Sequence, residues 1–321
     1  MEISVLALNG VFDTGLATVL DALGTANGLA PTQVESAAPF SISVLGVRRR
    51  VETSQGLRVP VMSLARAGRP DWVIVPALGN KMPEALVATL GRRDVGEAAE
   101  FLRACSSRGS KIAAACIGTF VLAESGLLDG ERATTTWWLA PLFRQRYPNV
   151  ALEASRMIVP SGRFLTAGAA LSHLDMALWL IRQVSPELAM LTSKYLVTDS
   201  RLSQSMYAIS DHLAHADPLV ARFEHWAREH LAQGFALDDA AAALATSKRT
   251  LARRIAAVLG KTPLSYVQDL RAEHAAHLLK TTAQSVEDIA SAVGYSDGVT
   301  LRALLRRRFG KGVRELRASV S

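Results

Sequence analysis

Two stretches near the C-terminus concentrate side chains that can grip a polyanion. LDDAAAALATSKRTLARRI (237–255) is followed by VEDIASAVGYSDGVTLRALL (286–305), and the two align as an internal repeat. Leu237 matches Val286, Asp239 matches Asp288 and Ala241 matches Ala290. After a one-residue insertion, Thr250-Leu251 matches Thr300-Leu301 and Gly260-Lys261 matches Gly310-Lys311. Each copy reads as an acidic-started helix, a short turn with Ser, and a second helix. That second helix is apolar on one side (Leu251 and Ile255; Leu301 and Leu305) and donor-rich on the other (Arg249 and Arg253; Arg302 and Arg306). A turn between two close helices needs a small residue, met by Ala245 and Gly294. Arg forks onto guanine edges, and Lys or Arg neutralises phosphates. The spacing therefore predicts two helix-turn-helix units on duplex DNA.

Charge points the same way. Residues 221–321 carry 16 Lys/Arg against 10 Asp/Glu, whereas the first 220 carry 20 against 19. A near-neutral body joined to a basic module is the asymmetry expected when one part meets a polyanion. A chain of 321 residues, 49% hydrophobic and 20% charged, can bury more than one core, which predicts two domains and argues against disorder. Cys105 and Cys116 are too few for a disulfide framework or a structural zinc site, so a reducing compartment is expected. The strongest apolar run, LWLI (178–181), is flanked by Asp175 and Arg182 and is too short for a membrane helix. MEISVLALNG opens with an acid and a short strand, unlike a signal peptide. The expectation is a cytoplasmic protein with no membrane partner.

The elements ahead of the basic module alternate. ISVLAL (3–8), FSISVLGV (40–47), DWVIVPA (71–77) and KIAAAC (111–116) read as strands, and WVIV is apolar at every position, as a strand covered on both faces must be. Residues 13–29, 83–90 and 95–106 read as helices, as does IGTFVLAESGLL, which Gly126 ends. Alternating strand and helix predicts an α/β domain with a parallel sheet between helical layers. Residues 185–218 turn polar and mixed, and from 219 onward the chain is helical. The boundaries read as 1–198 for the α/β domain, 199–220 for a linker and 221–321 for an all-α domain with the two helix-turn-helix units.

At these residues two families come into view. Residues 221–317 resemble the AraC-type DNA-binding domain, two helix-turn-helix units joined by a long helix, here 263–279. GYSDGVTLRALLRRRFGKGVREL resembles that family's second signature, with Val313 where Pro is usual and Leu305 where Phe is frequent. The resemblance puts Arg249, Arg253, Thr300 and Arg302 at base edges and Lys248, Arg306 and Arg307 at phosphates. Gly298 and Val299 offer little hydrogen bonding, so the second unit leans on thymine methyls or DNA shape.

KIAAACIGTFVLAESGLLDGERATT resembles the strand-turn-helix of class-I glutamine amidotransferase-like and PfpI-like proteins, and the likeness runs over residues 2–184. In that fold a Cys on a tight turn meets a helix N-terminus that makes its thiol nucleophilic; Cys116 occupies the place. Catalytic members pair it with a His after the next strand, whereas TTTWWL sets Thr136 and Trp137 there. His173, in SHLDMALWL, reads as a packed residue, and PALGN after WVIV lacks the paired glycines of an oxyanion hole. Asp13 resembles an acidic position of the family pocket, and Trp137 and Trp138 offer faces for stacking. Arg201, Gln204 and Tyr207 match an R-x-x-Q-x-x-Y pattern found between the domains of such regulators, which points to interdomain contact.

The combined expectation is a sequence-specific transcriptional regulator, in the activator mould. Its amidotransferase-like domain lacks catalytic residues, and it senses a small metabolite, dimerises, or both. Candidate ligand-binding residues are Asp13, Cys116, Thr136 and Trp137. No metal or cofactor is expected. The resemblance implies double-stranded DNA, a small and often nitrogenous effector, RNA polymerase and a second copy of the chain as partners. The rivals are a Cys-dependent hydrolase or amidotransferase fused to a DNA-binding module, and a ligand-free architectural DNA binder.

Overall fold

The computed structural model describes residues 1–32, 39–80, 82–198, 201, 203–204, 217–310 and 312–318. The chain divides into two compact units, Met1–Gln204 and Ser205–Ser321.

The first unit is built on a seven-stranded sheet. Its members are β1 (Glu2–Ala7), β2 (Ser41–Gly46), β5 (Met62–Ser63), β6 (Trp72–Val75), β7 (Lys111–Ala115), β10 (Ile158–Ser161) and β11 (Phe164–Ala167), in the order β10-β11-β7-β6-β1-β2-β5. Every neighbouring pair is parallel except β10 with β11. Short pairs lie outside it: β3 (Arg50–Glu52) with β4 (Arg58–Pro60), and β8 (Arg132–Ala133) with β9 (Ala151–Leu152). One face is covered by α1 (Asp13–Leu29), α6 (Ser172–Val184) and α7 (Pro186–Tyr195), where Leu16, Leu23, Leu180 and Leu188 meet Ile74 and Ala113. The other is covered by α2 (Pro83–Leu90), α3 (Arg93–Ser107), α4 (Gly118–Glu124) and α5 (Ala140–Arg146), where Leu86, Leu102, Phe120 and Phe143 meet Val73, Val75 and Ile112. Strand side chains alternate between faces, so a strand with two covered faces is apolar at nearly every position. Each large apolar side chain so buried contributes about 1.5–3 kcal/mol.

The second unit is helical: α8 (Pro218–Glu229), α9 (Leu237–Ala243), α10 (Lys248–Leu259), α11 (Pro263–Thr281), α12 (Val286–Ala292), α13 (Gly298–Phe309) and α14 (Val313–Ala318). Helix α11 belongs to two cores. Tyr266, Val267 and Leu270 pack with Leu251 and Ile255, while Ala272, Ala275 and Leu279 pack with Ile289, Leu301 and Leu305. Leu305 is fully buried, so an aliphatic side chain fills the place where the related signature often has Phe. Among the described residues no helix is long and apolar enough to cross a membrane.

The structure departs from the sequence reading in three places. Within the polar, mixed stretch 185–218, for which no element was expected, Ser185 caps α7, whose Leu188 and Ala189 join the core. The helix expected up to Gly126 is only seven residues long; turns follow, with Gly126 at φ +75°. The expected linker 199–220 is narrower, since Arg201, Ser203 and Gln204 bond to the first unit and Asp217 caps α8. Tyr207 and Lys311 lie outside the described residues.

One backbone approach holds the sheet's functional edge together. A Cβ on Gly118 would fall 2.2 Å from Val75 O and 2.7 Å from Pro76 O, both rigid backbone. Gly118→Ala should therefore destabilise the first unit by about 3 kcal/mol or more, as forced overpacking against main chain does. A shift of the urea midpoint equivalent to less than 1 kcal/mol, roughly the ordinary surface-substitution range, would contradict this.

Candidate functional site

Because β1, β6, β7 and β11 run parallel, their carboxyl ends share one edge, where loops can converge. Cys116 follows β7 at φ +56°, a conformation that costs a non-glycine residue of order 1–3 kcal/mol. Its backbone is tied on both sides, N–H to Ala167 O at 2.9 Å and C=O accepting from Thr135 Oγ1 at 2.7 Å. This is the strand-to-helix elbow anticipated from KIAAACIGTF. The thiol is buried, however, and burial pushes its pKa up. The Ala170 and Ile117 N–H groups and the Thr136 hydroxyl favour the thiolate without offsetting this. Thr136 is itself fully buried, and its Oγ1 lies beside the thiol without a hydrogen bond of ordinary geometry.

His173 stands on the adjacent wall, fully buried in α6. Its Nε2 accepts from the Ala77 N–H at 3.0 Å and its Nδ1 lies 2.5 Å from Ala170 O, which makes Nδ1 the protonated nitrogen. Burial depresses its pKa to about 4. Both ring nitrogens are in use and the ring is neutral. The Ala77 N–H, in the PALGN loop, is thereby turned to the imidazole.

Asp13 is the first residue of α1, at the end of β1. Its carboxylate accepts from Thr53 Oγ1, from Ser54 Oγ at 2.7 Å and from the Gln55 N–H at 3.1 Å. Burial works against its charge, but these hydrogen bonds outweigh it and hold the carboxyl below its ordinary range. Asp13 thus shares the edge with Cys116 while its oxygens brace the 53–55 turn. Trp137 and Trp138 meet edge-on with centroids 5.4 Å apart, both half-buried, and Trp138 packs on the core. Thr136 and Cys116 are brought together, Trp137 is the next residue along, and Asp13 is held from behind. Sequence reasoning missed Gln204 as part of this edge. Its amide, 1% exposed, donates to Thr135 O at 2.8 Å and accepts from the Ala169 N–H at 2.9 Å. The R-x-x-Q spacing was its only signal, and it pointed to interdomain contact instead.

The second unit repeats its scaffold with different side chains. Ser247 and Asp297 cap α10 and α13, Gly260 and Gly310 end them, and the turns pass through Ala245 (φ +50°) and Gly294 (φ +81°). In that register Arg249 corresponds to Val299 and Arg253 to Ala303, while Arg302 and Arg306 correspond to Ala252 and Ala256. The basic faces are therefore not copies of each other. Arg249, Arg253 and Arg306 are exposed, and Val299 is 72% exposed near the start of α13. The other predicted contacts have partners within the unit. Lys248 pairs with Asp238 at 2.8 Å, Arg302 with Glu287 at 3.2 Å, and Arg307 donates to Gln268 at 3.0 Å. The Thr300 hydroxyl bonds the capping Asp297 at 3.0 Å. Exposed pairs of this kind are worth about 0–1 kcal/mol, little enough for a phosphate to displace.

Residues 1–183 match the DJ-1/PfpI family, and residues 240–319 match a helix-turn-helix domain. The chain belongs to the DJ-1/PfpI family. With its C-terminal helix-turn-helix module it is an AraC-family transcriptional regulator. The HTH-type transcriptional regulator GbdR of Pseudomonas aeruginosa is 26% identical over 314 residues, covering 96% of this chain and 82% of its own. The HTH-type transcriptional activator RhaS of Klebsiella pneumoniae is 31% identical over 110 residues, 34% of this chain and 40% of its own. The fold is shared with the crystal structure of an AraC family transcriptional regulator from Pseudomonas putida. That structure has a TM-score of 0.51 and 20% identity, covering 61% of this chain and 98% of that one.

The buried imidazole gives the regulator a pH signature. An unfolded His takes up its proton near pH 6.5, whereas His173 in the folded unit stays neutral down to about 4. Between those values the unfolded state binds more protons, so stability present above pH 6.5 is lost as pH falls. The loss should approach about 3 kcal/mol at pH 4. His173→Gln should flatten that limb of the urea midpoint against pH; an unchanged slope would show that other groups carry it.

Proposed function

We propose that the DJ-1/PfpI unit is a sensor without catalysis, and that a small metabolite bound at the Cys116–Thr136–Trp137 edge controls how the helical unit acts at promoters. The observation that carries this is the state of the edge. The thiol is buried with a raised pKa, and the His173 imidazole uses both nitrogens in hydrogen bonds. A nucleophile needs a proton acceptor, and His173 has no free lone pair to offer. What the edge holds is a soft buried thiol, a buried hydroxyl and a half-buried indole, a set suited to recognition. Following the family likeness, the effector is a small nitrogenous metabolite, the working form is a homodimer, and RNA polymerase is the downstream partner.

A thermal-shift screen of metabolites tests the sensor directly. A ligand at about a hundred times its Kd stabilises the unit that binds it by roughly 2.7 kcal/mol. Cys116→Ala should leave DNA affinity intact, and the wild type should hydrolyse neither amides nor esters. Turnover that vanishes with Cys116→Ala would restore the hydrolase reading.

On the DNA side, α10 and α13 are assigned to successive major-groove segments about 34 Å apart. With roughly six phosphate contacts, the slope of log affinity against log salt should lie around −5. Arg253→Ala should cost about 1–3 kcal/mol on the selected site and relax preference at one position, whereas Arg306→Ala should weaken all sequences about equally. Identical motifs selected by the wild type and Arg253→Ala would leave α10 with phosphate anchoring alone.

A further inference from the structure

We infer that Gln204 is the positioning residue through which the state of the Cys116 edge reaches the chain leading into the DNA-binding unit. The inference rests on the sensor reading above and adds its route.

Gln204 closes the first unit, and Ser205 begins the second. Every hydrogen-bonding group of its side chain is engaged. Nε2 donates to Thr135 O at 2.8 Å and to Ala154 O at 2.7 Å, with Thr134 Oγ1 and Arg156 O both at 3.3 Å. Oε1 accepts from the Ala169 N–H at 2.9 Å, and the backbone N–H donates to Ser155 O at 3.0 Å. Three residues earlier, Arg201 holds Asp175 at 2.5 Å and Leu171 O at 2.8 Å.

The two strands of chain that Gln204 ties together are the two walls of the thiol site. Thr135 precedes Thr136, whose hydroxyl faces the thiol, and its own Oγ1 bonds Cys116 O. Ala169 precedes Ala170, whose N–H faces the thiol and whose carbonyl holds His173. One buried amide thus cross-links both walls one residue behind the site. A molecule that wedges between Thr136 and Ala170 strains this cross-link, and displacing Gln204 opens the walls. Such coupling is reciprocal by linkage. The amide matters as an amide, because its N–H groups face carbonyl oxygens and a carboxylate there would repel them.

The test uses the full chain with Cys105→Ala, iodoacetamide as the probe of Cys116, and the duplex recovered by site selection. Gln204→Glu should speed alkylation of Cys116 by about tenfold, which corresponds to local opening of the walls made easier by about 1.4 kcal/mol. Alkylation should change DNA affinity several-fold when Gln204 is present and leave it unchanged in Gln204→Glu. If Gln204→Glu does not fold, Gly168→Ala replaces it, since its Cβ would fall 2.6 Å from Gln204 Oε1 and evict the amide without altering it. An unchanged alkylation rate overturns the inference. So does an alkylation effect on DNA affinity that is equal with and without the amide, or absent in both. None of these outcomes touches the sensor reading, which the metabolite screen decides separately.

Discussion

The first unit depends on a place where two backbones meet without a side chain between them. At Gly118 the start of α4 lies against the last carbonyls of β6, which leaves Cys116 to make the turn at φ +56°. That strain persists because its surroundings over-determine it. Cys116 is bonded front and back, Ile117 and Phe120 are buried in one core, and Ala113 and Ala115 of the same strand are buried in the other. Loosening any one of these still leaves the others to enforce the elbow. A strained turn held from both faces of a sheet positions a side chain more rigidly than a loop can.

The same burial that builds the elbow decides its chemistry. Desolvation pushes the Cys116 thiol up and the His173 imidazole down, so both are neutral near pH 7. Neutral buried groups offer a partner shape and hydrogen bonds in place of charge. A fold of this kind hosts unrelated functions, and the state of its side chains sets what each copy can do.

In the helical unit the corresponding constraint is Arg271 on α11. It is 7% exposed, donates to Leu231 O at 3.0 Å and to Gln233 O, and stacks on Tyr295 with 5.2 Å to the ring centroid. Leu231 O also lies where a Cβ on Gly294 would sit, 2.3 Å away, so the second turn closes only on glycine. Asp269, two residues earlier on α11, receives Lys261 at 2.6 Å and Arg308 at 2.7 Å. These buried contacts fix α10 and α13 to one shared helix, which lets the exposed faces of the two differ.

Much of this was legible in the sequence by itself. Apolar runs such as WVIV and KIAAA announced a two-sided sheet, because a strand buried on both faces is apolar at nearly every position. The repeat announced two helix-turn-helix units, because caps, a small turn residue and buried positions recur at fixed spacing. What the tertiary structure alone decided were contacts between residues distant in the chain. The two- or three-residue strands β3, β4, β5, β8 and β9 are too short to show a period. The hydroxyl of Thr53 on Asp13 lies 40 residues on, the Ala77 N–H on His173 lies 96 back, and the side-chain partners of Gln204 lie 35 to 70 back. Whether a carboxylate faces a cleft or braces a turn, and whether an imidazole is free or bonded at both nitrogens, depends on which segments fold against it. Local spacing cannot encode that, because the hydrogen bonds concerned close only when the whole sheet has assembled.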